Sequence, residues 1–136
     1  MLTHFLYSQL PDQFDAVAPV YGLPLKGHID VPDGLIDTSI FHLHDRSDTV
    51  IPEKGGFAGG WEYESADAVL SNWATLHGCN PNLTPFKTPY DGGDYNIACV
   101  EHAYCASKKS VVKCMYDGHH GTWPDRGDLL LNLLEL

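Results

Sequence analysis

The sequence predicts an α/β fold in which a mostly parallel sheet has flanking helices. Three observations support this class: segments with helical spacing alternate with short apolar runs, 136 residues suit one domain, and thirteen Gly and nine Pro indicate many turns. Strands that alternate with helices imply right-handed parallel connections. A parallel sheet is buried on both faces, and so few strands cannot form one alone. We therefore expect residues 1–136 to be a single, incomplete domain.

The N-terminal elements follow from apolar spacing and from breakers. Pro11 ends a helical pattern over residues 2–10 that is carried by Leu2, Phe5, Leu6 and Leu10. The apolar run at 14–21 is bounded by Gly and Pro and has the length of a buried strand. Residues 23–36 are rich in Gly, Pro and Asp and are predicted to form a loop. A second strand is predicted over 38–44.

The clearest helix is predicted over 66–77. Ser65 is a suitable N-cap, Asp67 complements the helix dipole, and Gly78 ends the pattern. Its apolar residues fit one helical face without a miss: Ala66, Val69, Leu70, Trp73 and Ala74. This pattern indicates an amphipathic helix packed on the sheet.

The C-terminal third has weaker signals. An irregular region with several prolines extends over 79–93. Short strands are predicted at 96–100 and 110–116. The Leu-rich end over 128–136 predicts a terminal helix.

Composition restricts the partners of the chain. Eight Lys and Arg against 18 Asp and Glu give a formal charge of -10, so nucleic acid is not an expected partner. No apolar run approaches the roughly 20 residues needed to cross a bilayer, so we expect no membrane partner either. The first residues lack the charged region and cleavage pattern of a signal peptide.

Four cysteines lie late in the chain, at Cys79, Cys99, Cys105 and Cys114. No C-x-x-C pair is present, which disfavours a zinc site. An even number of cysteines in a loop-rich region favours disulfides, and hence an oxidising compartment.

Two histidines and two aspartates lie around the end of the second predicted strand. His42 and His44 alternate with apolar residues, so both imidazoles lie on one strand face. Asp45 and Asp48 follow the C-terminal end of the strand, where ligands and catalytic groups gather in open α/β sheets. Three interpretations stay open here: turn residues, a catalytic carboxylate, and an H-x-H-plus-carboxylate metal site.

A second polar group follows the last predicted strand. His119 and His120 are bracketed by Gly118 and Gly121. Such a loop can hold an imidazole at a sheet edge as a general base. A surface turn that contains histidine by chance is the alternative.

An Asp after one strand and a His after the last strand is the chain order of the α/β-hydrolase triad after its serine. The chain resembles the C-terminal half of α/β-hydrolase esterases, namely the polyhydroxybutyrate depolymerase-like enzymes and feruloyl esterases. Residues 44–52 are similar to the family's H-G-T-A-D-T-x-V-P, 73–79 to W-A-x-x-N-G-C, 118–124 to G-G-H-x-W-P and 10–22 to P-D-x-F-A-A-V-A-P-V-x-G. The resemblance covers residues 1 to about 124.

The resemblance assigns roles residue by residue. Asp48 takes the place of the triad acid, whereas Asp45 stands where the family has Gly. The loop that carries the triad base has one extra residue in this chain. Counting back from Trp-Pro selects His120, and the preceding glycine selects His119. We favour His119 because its Gly-His context matches the family better.

The family's nucleophile is a Ser in G-x-S-x-G on a strand-to-helix turn, and the sequence contains no such motif. In the family, a Met often follows the glycines of that motif and opens the helix that residues 2–10 resemble. We therefore expect Met1 to correspond to that internal Met, with the nucleophile and the oxyanion hole before it.

The resemblance implies hydrolysis of a carboxylic ester through an acyl-enzyme, with a small-molecule or polymer ester as substrate and no metal or organic cofactor. It also implies an extracellular parent protein whose cysteines form disulfides in pairs that the sequence leaves open. Two alternatives stay open. One is a truncated, non-catalytic product with the same half-fold, and the other is a metal-dependent hydrolase that uses His42, His44 and Asp48.

Overall fold

The computed structural model describes residues 1–10, 13–28, 37–86, 95–123 and 131 of the chain. The described part is a mixed α/β arrangement. In chain order, its elements are α1 (Leu2–Gln9), β1 (Ala16–Val17), β2 (Ser39–Asp45), β3 (Gly56–Ala58), β4 (Trp61–Tyr63), α2 (Ala66–Leu76), β5 (Leu83–Phe86), β6 (Ala98–His102) and β7 (Val111–Tyr116).

The main sheet of the described residues has five strands in the order β1-β2-β7-β6-β5. β1, β2 and β7 are parallel, whereas β6 is antiparallel to both β7 and β5. The prediction of a mostly parallel sheet is therefore wrong on the β5–β6–β7 side. The connection over 103–110 is shorter than the roughly one dozen residues that a parallel crossover needs, so β6 and β7 pair as antiparallel neighbours.

The other strands differ from their predictions in length and number. The strand predicted over 14–21 is reduced to β1, although a parallel bridge from Val20 to Leu43 continues its alignment with β2. Pro19 cannot donate a backbone hydrogen bond, which limits the ladder there. The short β3–β4 hairpin lies in a segment where we predicted no strand, and β5 lies in the region that was predicted to be irregular. The predicted terminal helix over 128–136 falls outside the described residues except at Leu131.

Both helices predicted before residue 78 are present. α2 begins after Ser65, whose hydroxyl accepts the Ala68 N–H. Its buried residues are the five apolar positions that predicted it: Ala66, Val69, Leu70, Trp73 and Ala74. α1 differs, because its buried residues are His4, Tyr7 and Ser8, while Leu2 and Phe5 are exposed. The spacing predicted the helix correctly but not the face that it buries.

Apolar clusters cover both faces of the sheet. One cluster joins the helices to the sheet: Tyr7, Val17, Ile40, Val69, Leu70, Trp73, Ala74 and Val111. The other lies on the opposite face: Phe41, Leu43, Cys99, Val112, Cys114 and Tyr116. Since β2 is buried on both sides, as a central parallel strand should be, the loops at its ends are held in place by a packed core.

Two disulfides join the late segments of the chain. Cys99 on β6 pairs with Cys114 on β7, and Cys79 after α2 pairs with Cys105 in the β6–β7 connection. The expectation of disulfides is confirmed, and their pairing is now defined. No helix in the described residues is long and apolar enough to span a bilayer.

Candidate active site

The two polar groups singled out in the sequence meet at one edge of the sheet. β2 and β7 are parallel neighbours, with Asp45 opposite Tyr116 at their C-terminal ends. The loop after β2 carries Asp48, and the loop after β7 carries His120. Parallel strands deliver their following loops to the same edge, which is why side chains 72 positions apart touch.

Asp48 is held on both oxygens. Its side chain is fully buried, and Oδ1 accepts the backbone N–H groups of Val50 at 2.8 Å and Ile51 at 2.9 Å. Oδ2 lies 2.8 Å from Nδ1 of His120. Burial acts to raise the pKa of Asp48, but the hydrogen bonds from His120, Ile51 and Val50 outweigh it, and the pKa lies below its ordinary value. Asp48 is therefore a carboxylate at neutral pH.

His120 is oriented by that carboxylate. Because an ionised Asp48 can only accept, Nδ1 of His120 carries the proton, and in the neutral ring Nε2 is left as an acceptor. The side chain is 32% exposed, and Nε2 has no hydrogen-bond partner among the described residues. The ring packs on Tyr21, with ring centroids 4.9 Å apart. This is the tautomer and the exposure that a general base needs.

His119 points elsewhere. Its Nδ1 bonds to the carbonyl oxygen of His120 at 3.1 Å, and its backbone N–H donates to Oγ1 of Thr122. The turn closed by Thr122 N–H and the His119 carbonyl directs the two neighbouring imidazoles apart. The structure brings His120 and not His119 to Asp48, which favours His120 over our preference for His119. Because the loop has one extra residue, the glycine that precedes His119 did not identify the histidine next to Asp48.

Asp45 stabilises the turn that follows β2. It is fully buried, and its Oδ1 accepts the backbone N–H of Ser47 at 2.7 Å. The Ser47 hydroxyl lies 3.0 Å from Asp45 Oδ1 and 3.1 Å from the Gly118 carbonyl oxygen, so Ser47 links the two loops of the edge. Asp45 closes the turn that places Asp48.

His42 and His44 do not point outward from this edge. Both are completely buried on β2, and Nε2 of His42 lies 3.0 Å from Nδ1 of His44, at hydrogen-bond distance. Nε2 of His44 is 2.8 Å from the Ile51 carbonyl oxygen. No group of three His, Cys, Asp or Glu side chains in the described part of the chain is arranged to hold a metal ion. The geometry of these histidines gives no support to the metal interpretation.

Tyr21 is a site residue that the sequence analysis missed. It is the last residue of the apolar run at 14–21, directly after the Val20–Leu43 bridge, and so lies at the same C-terminal edge as the other loops. Its φ is 38°, in the left-handed region that a bulky side chain rarely adopts. Its position at the C-terminal end of the strand predicted over 14–21 was the available signal.

No protein-family model and no curated protein matches this chain. The likeness of four segments to esterases is thus an inference from the sequence itself. The paired Asp48 and His120 are an independent, geometric observation.

Proposed function

We propose that this chain belongs to a carboxylic ester hydrolase and supplies the acid and the base of its Ser-His-Asp triad. The observation that carries the proposal is the 2.8 Å contact between buried Asp48 and Nδ1 of His120 at the C-terminal edge of parallel strands. In such a triad the acid binds the far nitrogen of the imidazole, and the near nitrogen faces the nucleophile. The esterase-like segments agree with this geometry.

The reaction follows from the protonation states. Nε2 of His120 accepts the proton of the serine hydroxyl as its oxygen attacks the ester carbonyl, and the ring becomes an imidazolium. Asp48 stabilises that charge through the Nδ1–H bond. The imidazolium then gives its proton to the leaving alcohol, and the same exchange with water releases the acid. We propose a small-molecule or polymer ester as the substrate.

The nucleophile has to come from a G-x-S-x-G turn, which the 136 residues do not contain. No serine hydroxyl in the described residues is hydrogen-bonded to His120, and Ser47, in the loop that carries Asp48, is bonded to Asp45 and Gly118. The chain alone is therefore expected to hydrolyse p-nitrophenyl butyrate no faster than the background. The two disulfides favour an extracellular setting for the enzyme.

The test begins with the gene. The reading frame upstream of Met1 is sequenced, and the polypeptide that it encodes is expressed in frame with the chain. Hydrolysis of p-nitrophenyl butyrate and methyl ferulate is then measured. We expect an in-frame G-x-S-x-G and turnover that His120→Gln abolishes, while the matched neighbour His119→Gln leaves it within about threefold.

Two results would overturn the proposal. A frame without a nucleophile motif would favour the truncated, non-catalytic product. Turnover that survives both His120→Gln and Asp48→Asn would show that another site performs the hydrolysis.

A further inference from the structure

The buried pair His42 and His44 is the part of the sequence pattern that the proposed reaction does not use. Both side chains lie on β2, immediately behind the loop that carries Asp48. Their rings stack with centroids 5.2 Å apart. Two fully buried imidazoles are costly unless their polar atoms are satisfied. Three of their four ring nitrogens have hydrogen-bond partners and Nδ1 of His42 has none among the described residues, so the three partnered nitrogens indicate what the rings do.

The partners define the proton positions of both rings. The Ile51 carbonyl oxygen can only accept, so Nε2 of His44 carries a hydrogen and donates to it over 2.8 Å. Burial lowers the pKa of His44, although the Ile51 bond and the Asp48 charge act in the other direction, and the ring is neutral near pH 7. Its Nδ1 is then bare and accepts the Nε2–H of His42.

His44 reaches the Asp48 turn at two points. It bonds the carbonyl of Ile51, whose own N–H bonds Oδ1 of Asp48. Its Nε2 also lies 3.8 Å from Oδ2 of Asp48, the oxygen that accepts from His120. We infer that His44 is a positioning residue that fixes the turn over residues 48–51 and thereby aims Oδ2 of Asp48 at Nδ1 of His120. The inference deepens the proposed function and takes its catalytic meaning from it.

A neutral donor suits this task better than a cation. A protonated His44 would pair with Oδ2 of Asp48 and compete with His120 for the same oxygen. The neutral ring binds the backbone of the turn and leaves the carboxylate charge to His120. His42 supports this state, because its Nε2–H occupies the nitrogen of His44 that would otherwise take up a proton.

The experiment reads tautomers in the ¹⁵N-labelled full chain by long-range ¹H–¹⁵N NMR at about pH 8. In the wild type we expect Nε2–H on His42 and His44, and Nδ1–H on His120. His44→Leu removes the donor, and His120 is expected to change from mostly Nδ1–H to mostly Nε2–H, the form that a free imidazole prefers. His44→Gln places an amide donor near the former Nε2 and is expected to restore Nδ1–H on His120.

Each outcome decides the inference. A folded His44→Leu chain that keeps Nδ1–H on His120 would overturn it, and so would a folded His44→Gln chain that loses this form. If His44→Leu does not fold, the wild type and His44→Gln decide, because Nδ1–H on His44 in the wild type also contradicts the inference. None of these spectra requires ester turnover. If these tautomers are found but the longer polypeptide with a G-x-S-x-G motif shows no turnover, the proposed function is overturned and the positioning role is left intact.

Discussion

The two ends of the parallel strands each carry a hydrogen-bonded histidine, and the two are built differently. At the C-terminal edge, His120 has a carboxylate on Nδ1, a partly exposed ring and an unoccupied Nε2 among the described residues. At the N-terminal edge, His77 is fully buried, with Nε2 2.7 Å from the Tyr7 hydroxyl and Nδ1 2.8 Å from the Ser107 hydroxyl. Both of its nitrogens are occupied by neutral groups.

The proton positions at the N-terminal edge are also fixed. The Tyr7 hydroxyl donates to the Thr38 carbonyl at 2.7 Å, so Nε2 of His77 donates to Tyr7, and Nδ1 accepts from Ser107. This series of hydrogen bonds joins α1, the start of β2, the end of α2 and the β6–β7 connection. It contains a Ser–His contact, but the ring is buried and neither of its nitrogens is hydrogen-bonded to a carboxylate. A Ser–His distance alone therefore does not identify a base, whereas a carboxylate on one nitrogen and solvent on the other does.

The largest expected effect is on catalysis at the C-terminal edge. In the longer polypeptide that includes the nucleophile motif, Asp48→Asn should lower kcat by roughly ten-thousand-fold, because Asn favours the wrong tautomer of His120. The Asn oxygen can still accept the N–H groups of Val50 and Ile51, so the fold is retained. Ester turnover and urea unfolding are measured on the same preparation.

Tyr7→Phe is the matched change at the N-terminal edge and should give the opposite result. It leaves the Nε2–H of His77 buried without its acceptor, which costs about 1–3 kcal/mol of unfolding free energy, while kcat stays within about twofold. If Tyr7→Phe impaired turnover as strongly as Asp48→Asn, the contrast between the edges would be wrong.

The same contrast explains what the sequence could predict. The order of Asp48 and His120 after two strands placed them at one edge, because parallel strands share their C-terminal side. The choice between His119 and His120 depended on a turn closed by Thr122, which no spacing rule contains. The buried face of α1 was missed because Tyr7 and His4 are buried through long-range contacts, and helical periodicity scores only the apolar residues. β6 is antiparallel because its connection to β7 is short. The sequence defines the ends of such short strands only to within a few residues, so the length of the connection between them was poorly defined.

A further effect is expected on stability in acid, and the N-terminal edge contributes to it through His77. Burial lowers the pKa of His77 from 6.5 to about 4, with Asp37 opposing and Lys109 adding to the shift. Between these values the unfolded chain binds a proton that the folded chain does not, so stability is lost as pH falls from about 6.5 to about 4. At about 1.4 kcal/mol per pH unit, His77 accounts for roughly 3 kcal/mol.

The control for this pH dependence is His77→Gln, measured by urea unfolding at pH 7.5 and pH 4. The wild type should lose about 3 kcal/mol more than the variant between the two pH values. The lowered pKa values of His42 and His44 affect both proteins and cancel in the difference. Asp48, whose pKa is also lowered, loses its contribution only as the pH falls below its ordinary value of 3.8. Equal losses in both proteins would show that His77 is not held neutral by the fold.

The smallest expected effect compares two tyrosines with positive φ, one at each edge. Tyr21 has φ 38° and packs on His120, whereas Tyr104, in the connection that carries Ser107, has φ 56° and is 88% exposed. A non-glycine residue in this region costs about 1–3 kcal/mol, and glycine avoids that cost but gives back about 0.5–1 kcal/mol through the greater freedom of the unfolded chain. At the middle of both ranges, Tyr104→Gly should therefore stabilise the chain by about 1 kcal/mol. Tyr21→Gly releases the same strain but loses the packing on His120, so thermal unfolding should show no gain. An equal gain in both variants would mean that the Tyr21 ring contributes nothing to the orientation of His120, and that its strained backbone serves no purpose at the site.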